Sequence, residues 1–299
     1  MKMNKEYSLE EDIRHGTMEH PLSIMQFESG PGTYYSKGFF VERHWHKEIE
    51  ILRIQKGSYT AELNLEEYTL REGDFCIVNS EELHQLTGKE QVTRHEAVIF
   101  HPKILNFSYQ DEFQKELIEP LVQHKNSLVH VIRPGDSGYT EFAKRYGRIA
   151  SCGLTREEGW YFETKLELLG LLNQLKKNRM IYPSSSMQSA AEKEKTDRYK
   201  RVVSYIKEHY REKVSLEELA EAAQCNSQYL CHFFKEIAGV PPVRYLIDYR
   251  VEQAKELLKN STRTVLEISL DCGFENVSYF IRQFKRGTGM TPREYRGNR

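Results

Sequence analysis

Residues 265–296 read VLEISLDCGFENVSYFIRQFKRGTGMTPREYR, and a reworded copy stands fifty positions earlier as residues 215–246, SLEELAEAAQCNSQYLCHFFKEIAGVPPVRYL. At an offset of 50, Tyr229 pairs with Tyr279, Phe234 with Phe284, Lys235 with Lys285, Gly239 with Gly289, Pro242 with Pro292 and Tyr245 with Tyr295. Upstream of a one-residue slip the offset is 49, pairing Leu219 with Ile268, Ala220 with Ser269 and Ala223 with Cys272. Such self-similarity means one supersecondary unit used twice. In the first copy Ser215, with Glu218 three residues on, forms a capping box that opens a helix over 216–223. A second helix starts after Asn226 and runs to about Ile237. It buries Leu230, Phe233 and Phe234 and turns Gln228, Cys231, His232 and Lys235 outward. The second copy is expected to bury Ile268, Cys272, Tyr279, Phe280 and Phe284 around a turn at Gly273, with Ser278, Ile281, Arg282 and Lys285 outward. Two short helices, a tight turn and a polar, basic outer face on the second helix read as a helix-turn-helix, whose second helix enters the DNA major groove.

Between the copies, residues 243–259 read as an amphipathic connector, with Leu246, Tyr249, Ala254, Leu257 and Leu258 apolar and Arg244, Arg250, Lys255 and Lys259 on the expected exposed side. A rigid connector fixes the separation of the two recognition helices, and about 34 Å places them in successive major grooves. Arg263, Arg286, Arg293 and Arg296 then read as phosphate contacts, which position without specifying. The net charge of −1 over 299 residues excludes a bulk nucleic-acid coat protein, but it is a sum of opposites. Residues 198–299 hold 18 Lys/Arg against 13 Asp/Glu, a balance of +5, which leaves 25 against 31, or −6, for the rest. Length alone predicts two domains.

The C-terminal repeat resembles the AraC/XylS family of transcription regulators. The resemblance covers the whole C-terminal domain and is most specific from Arg250 to Tyr295, through Asp271, Cys272, Gly273, Phe274, Ser278, Tyr279, Phe280, Phe284, Lys285, Gly289, Pro292 and Tyr295. It implies sequence-specific binding of promoter DNA by both units, and contact with RNA polymerase. Carried over by position, the DNA-binding residues are Gln228, Cys231, His232 and Lys235 in the first recognition helix and Ser278, Ile281, Arg282, Lys285 and Arg286 in the second. Arg282 suits bidentate contact with guanine, whereas Cys231 and Ile281 offer only apolar contact.

The first hundred residues alternate short apolar runs with Gly-containing turns, as at 49–54, 58–65, 75–78 and 92–100, a pattern of sandwiches and barrels. Within it stand Gly38, His44, Trp45, His46, Glu50 and Gly57. His-x-His on a strand puts both imidazoles on one face, and Glu50 follows on that face by period two. His84, after Gly73, completes a two-strand constellation. Three imidazoles and a carboxylate suit a divalent transition metal. The spacing resembles the cupin motif, fully in its first element. In the second, Gly73 and His84 match, but Asn79, Glu81 and Gly88 stand where that family has Pro, Gly and Asn. Three readings stay open: His44, His46, Glu50 and His84 bind a metal; they line, with Tyr34 and Trp45, a pocket for an organic effector; or they are structural.

From Asp111 the apolar spacing changes to three and four. The stretch 157–178 carries Trp160, Phe162, Leu166, Leu168, Leu169, Leu171, Leu172 and Leu175, enough for one face on the barrel and another on a second subunit. The expected organisation is a cupin-like effector-binding barrel over 1–110, a helical dimerisation segment over 111–181, a linker over 182–197 (PSSSMQSAAEKEKTD lies within it) and a DNA-binding domain over 198–299. The fold class is therefore a two-domain α+β chain, an N-terminal cupin-like β-barrel with helices followed by an all-α domain with two helix-turn-helix units. The polar N-terminus and the lack of a long apolar run point to a cytoplasmic protein without membrane association. Five scattered cysteines form neither a disulfide framework nor a zinc pattern. With no recognisable catalytic arrangement, the chain reads as an effector-controlled, homodimeric regulator. The competing reading is a metal-dependent cupin enzyme or metal sensor fused to a DNA-binding domain.

Overall fold

Along strand β3 (Ile49–Lys56) side chains alternate between two apolar environments. Ile49 and Ile51 join a core built with helices, whereas Leu52 and Ile54 join a core shared with a second sheet. In the computed structural model, which describes residues 15–297 apart from Lys37, Gln91 and Gln188, β3 is the middle strand of a five-stranded antiparallel sheet. Its order is β1 (Leu22–Ser29), β8 (Thr93–Phe100), β3, β6 (Phe75–Val78) and β10 (Val131–Ile132). Covered on both faces, β6 is buried throughout and β8 at every residue but Arg94. The second sheet, ordered β2 (Phe40–His44), β7 (His84–Gly88), β4 (Tyr59–Leu63) and β5 (Glu66–Leu70), encloses the inner core. Residues 1–14, whose polarity bore on the localisation reading, lie outside the described residues.

The outer face of the five-stranded sheet carries α1 (Glu119–Val122), which follows a π-helical turn at Gln114–Ile118, then α2 (Tyr139–Thr155) and α3 (Trp160–Lys177). Gly153 lets α2 approach β1: a Cβ there would stand 2.0 Å from Ile24 Cδ1. On α3, Leu168, Leu171, Leu172 and Leu175 are buried, while Phe162 and Leu166 are 63% and 46% exposed. The segment expected to be helical is not wholly so. Within it, β9 (Asn126–Leu128) pairs antiparallel with β11 (Ile181–Pro183), and β10 joins the main sheet. The expected linker is likewise structured at both ends, since β11 reaches Pro183 and α4 starts at Ala190. The residues AAEKEK lack apolar periodicity but are strong helix formers.

The chain divides into two compact units, one ending at Glu192 and one beginning at Lys193. The second is helical: α4 (Ala190–His209), α5 (Leu216–Ala222), α6 (Ser227–Ala238), α7 (Pro242–Asn260), α8 (Val265–Asp271), α9 (Val277–Thr288) and α10 (Pro292–Gly297). The repeat extends to the caps. Ser215 with Glu218 and Thr264 with Glu267 form capping boxes on α5 and α8, and Asn226 and Asn276 cap α6 and α9. Both recognition helices end on a left-handed glycine, Gly239 and Gly289. Gln224 and Gly273, equivalent positions, both take positive φ, +53° and +78°; at Gly273 a Cβ would also meet Tyr210 O at 2.2 Å. No described helix is long and apolar enough to cross a membrane, and the five cysteines are free thiols.

Inside the barrel, His95 is buried, stacked on Phe27 with ring centroids 4.9 Å apart, and its Nδ1 lies 2.9 Å from the Tyr59 hydroxyl. Burial pushes its pKa from 6.5 down to about 4, against a weaker opposing pull from Glu50. A histidine kept neutral by the fold binds its proton more readily when unfolded. Its contribution is therefore intact above pH 6.5 and is lost as pH falls toward 4, a swing of roughly 3 kcal/mol. Tryptophan emission follows this unit alone, since Trp45 and Trp160 both lie in it. In denaturant titrations across that window, His95→Gln is expected to flatten the loss of stability seen in the parent; equal slopes refute the assignment.

Candidate effector site and nucleic-acid interface

The strand pattern places three of the four candidate ligands before any helix is involved. His44 at the end of β2 and His84 at the start of β7 are direct cross-strand partners, with ring centroids 4.0 Å apart. His46 lies 4.9 Å from the His84 ring, and one ring nitrogen from each histidine falls within 4.8 Å of the others. Glu50, on the inner face of β3, brings Oε2 to 3.5 Å from His46 Nε2 and 3.6 Å from His84 Nε2. Thus His44, His46, Glu50 and His84 come together. Tyr34 does not: it stands 93% exposed on the turn after β1, edge-on to Tyr35. Trp45 is buried at 5% exposure. A residue the sequence reading missed, His15, is buried and sets its ring 5.5 Å from that of His46.

Backbone carbonyls fix the orientation of two of these rings. His84 Nδ1 lies 2.8 Å from Glu82 O, and His46 Nδ1 lies 3.1 Å from Glu48 O. A carbonyl only accepts, so both Nδ1 atoms carry the hydrogen and donate it. The Nε2 atoms are therefore the ones turned toward Glu50. A bare Nε2 lone pair facing a carboxylate is repulsive, so the arrangement calls for a shared positive centre, either an imidazolium proton or a bound cation. Burial by itself raises the Glu50 pKa, but the imidazoles of His46 and His84 outweigh it and hold the carboxyl well below the usual range.

In the helical unit, Gln228, His232 and Lys235 on α6 and Ser278, Arg282, Lys285 and Arg286 on α9 are exposed. Cys231 is half-buried, and Ile281 packs partly into the core around Phe280 and Phe284. Tyr279, expected in that core, packs against it but is half-exposed, and the Arg282 guanidinium lies 5.9 Å from its ring. Of the connector's four cations Lys259 is exposed as expected, and the other three differ. Lys255 is buried against Glu252, Arg250 donates to the Tyr210 and Glu212 carbonyls, and Arg244 pairs with Asp248 and donates to Gln283 at 2.7 Å. Arg244 and Arg250 tie α7 to other elements, whereas Lys255 pairs within it; of the two reading helices, α9 presents the more exposed cations. Arg263 is paired with Asp271, and Arg296 donates to the Arg263 carbonyl.

Two family models match the two units separately: an AraC-like ligand binding domain over residues 24–116 and a helix-turn-helix domain over residues 219–298. The chain belongs to the AraC family of transcription regulators. Among similar AraC-family proteins, the "Uncharacterized HTH-type transcriptional regulator YdeC" of Bacillus subtilis is 26% identical over 290 residues, 97% of this chain and 96% of that protein. The arabinose operon regulatory protein of Salmonella typhimurium is 26% identical over 262 residues, 86% of this chain and 87% of its own. The HTH-type transcriptional activator RhaS of Escherichia fergusonii is 23% identical over 266 residues, 88% and 90%. This chain is accordingly a DNA-binding transcription regulator with a ligand-binding domain.

For the DNA-binding unit, the expectation of bidentate contact with a base falls on Arg282, which is exposed with its guanidinium 5.9 Å from the Tyr279 ring. Arg282→Ala is expected to cost about 1–3 kcal/mol of operator affinity and to relax specificity at one base pair. Lys285→Ala is expected to weaken binding to all sequences and to reduce the salt slope by about 1. Binding titrations on operator variants at several salt concentrations separate the two; an Arg282→Ala protein with unchanged sequence preference contradicts the first.

Proposed function

We propose that promoter binding by this regulator is controlled by a small molecule, a sugar or related metabolite, held at the histidine–carboxylate end of the barrel. The observation that carries this reading is the convergence of the His46 and His84 Nε2 atoms on one buried carboxylate. Such a site offers both acceptors and donors to hydroxyl groups. That a relative of similar length regulates an arabinose operon supports the same class of effector. A second reading, a divalent transition metal as the effector or its partner, is favoured by the separations themselves. Two ligands on one tetrahedral ion, each about 2.1 Å from it, stand roughly 3.4 Å apart, close to the 3.5 and 3.6 Å between Glu50 and the two histidines. Here His44, His46, Glu50 and His84 would hold the ion.

The regulator is further proposed to work as a homodimer in the cytoplasm, contacting RNA polymerase from promoter DNA. Phe162 and Leu166, one turn apart on α3 and both exposed, support a subunit contact there. Leu166→Glu is expected to shift the sedimentation coefficient to that of a monomer; unchanged sedimentation removes α3 from the contact.

The effector reading is tested by thermal unfolding against a panel of monosaccharides and, separately, of zinc, nickel, manganese and iron(II) salts. A sugar that raises the melting temperature and alters operator binding, with both effects lost in His46→Ala, is the expected result. A response to metal alone moves the assignment to the second reading. Silence to both panels overturns the site.

A further inference from the structure

The five residues between β6 and β7 break the cupin-like spacing, with Asn79 where that pattern has Pro and Glu81 where it has Gly. The structure shows what these departures build. Glu81 takes the left-handed conformation, φ +62°, and its N–H donates to the His46 carbonyl at 2.7 Å. Glu82 offers its carbonyl to His84 Nδ1 at 2.8 Å. The turn therefore touches both oriented histidines from behind.

The Glu82 side chain anchors this turn. It is buried, and its Oε2 accepts from the backbone N–H and side-chain amide of Asn79 at 2.8 and 3.3 Å. Its Oε1 accepts from Asn64 Nδ2 at 3.2 Å and lies 2.9 Å from His130 Nε2. Asn79 in turn exchanges two hydrogen bonds with the backbone of Leu128, donating to its carbonyl at 3.0 Å and accepting from its N–H at 2.6 Å. Proline at 79 has neither the N–H nor the amide and forms none of these bonds. His130 is fixed on its other side, where Nδ1 lies 2.9 Å from the Tyr68 hydroxyl. That hydroxyl donates to Glu66, so it accepts from His130. The other end of the network is β9, paired with β11, where Ser127 and Ser184 hydroxyls meet at 2.8 Å.

We propose that Asn79, Glu82 and His130 form a positioning unit for the effector site, holding His84 in the one tautomer that turns its Nε2 toward Glu50. Glu82 and His130, 48 residues apart in sequence, are both buried where they meet. By linkage, whatever engages His84 stabilises the β9–β11 pairing, and loss of that pairing loosens His84. The turn meets His46 only at its backbone carbonyl, and the ring is oriented by Glu48 instead, so the His46 ring tautomer serves as an internal control. The proposal rests on reading the histidine–carboxylate cluster as the effector site, but its test uses no effector and can fail independently of the sugar and metal panels.

The experiment is long-range proton–nitrogen correlation of the imidazoles in the full chain at alkaline pH, where neutral tautomers are resolved. The parent is expected to show both His46 and His84 protonated at Nδ1. In His130→Ala and Asn79→Ala, His84 is expected to become a tautomer mixture while His46 keeps its pattern, and amide exchange at Leu128 is expected to rise about tenfold. His130→Gln, which can still donate to Glu82, is expected to restore the parent pattern. A His84 tautomer unchanged in both alanine variants overturns the proposal. So does a change in His46 that accompanies the one in His84, because that marks general loosening. If neither alanine variant folds, Glu82→Gln supplies the same readout, with the same two outcomes against the proposal.

Discussion

A carboxylate enclosed between two apolar sheets must be answered by donors or by positive charge, and Glu50 is answered by imidazoles. Much of the first unit follows from that requirement. Period two along β3 sends Glu50 inward with Leu52 and Ile54. The pairing of β2 with β7 brings His44 and His84 to the same end, and carbonyls at Glu48 and Glu82 turn two rings toward the carboxylate. Each element is ordinary strand geometry. Together they place ionisable groups where a hydrocarbon core would cost nothing to build, which is the usual mark of a site retained for binding.

The sequence made local features legible. The repeat, its capping box at Ser215 and the one-residue slip in its turn follow from short-range rules. The slip is visible as a turn of residues 223–226 in the first copy against 272–276 in the second. The histidine cluster was readable because alternation along one strand decides which side chains share a face. Contacts that depend on distant pairing were not. Glu82 meets His130 across 48 residues, and His15 reaches His46 from before the first strand. Nothing in the spacing of those residues signals a meeting. The strands β9 and β11, three residues each, are too short for a period to show.

Residue type also misled where a charge has two uses. Arg244, Arg250 and Lys255 lie on a helix whose pattern turns cations outward, yet each is engaged by a partner within the fold. Long cationic side chains can lie along apolar surface and deliver their head groups to carbonyls or carboxylates, so a hydropathy pattern alone does not tell a DNA contact from a helix clamp. The +5 balance of the C-terminal half therefore does not say which of its cations are left for nucleic acid. On the two reading helices the exposed cations are Lys235 on α6 and Arg282, Lys285 and Arg286 on α9, so the second helix carries more of the charge.

That concentration gives the duplex a polarity. Copies of one unit joined in tandem need no two-fold axis between them, unlike the halves of a symmetric dimer. Here the copies also differ in chemistry, with Gln228, Cys231 and His232 in one and Ser278, Ile281 and Arg282 in the other. A single polypeptide that reads two unlike words in fixed order has a head and a tail on DNA. A complex read by both units cannot be superposed on itself by reversing the helix, so a single chain that uses both distinguishes the two directions along its site.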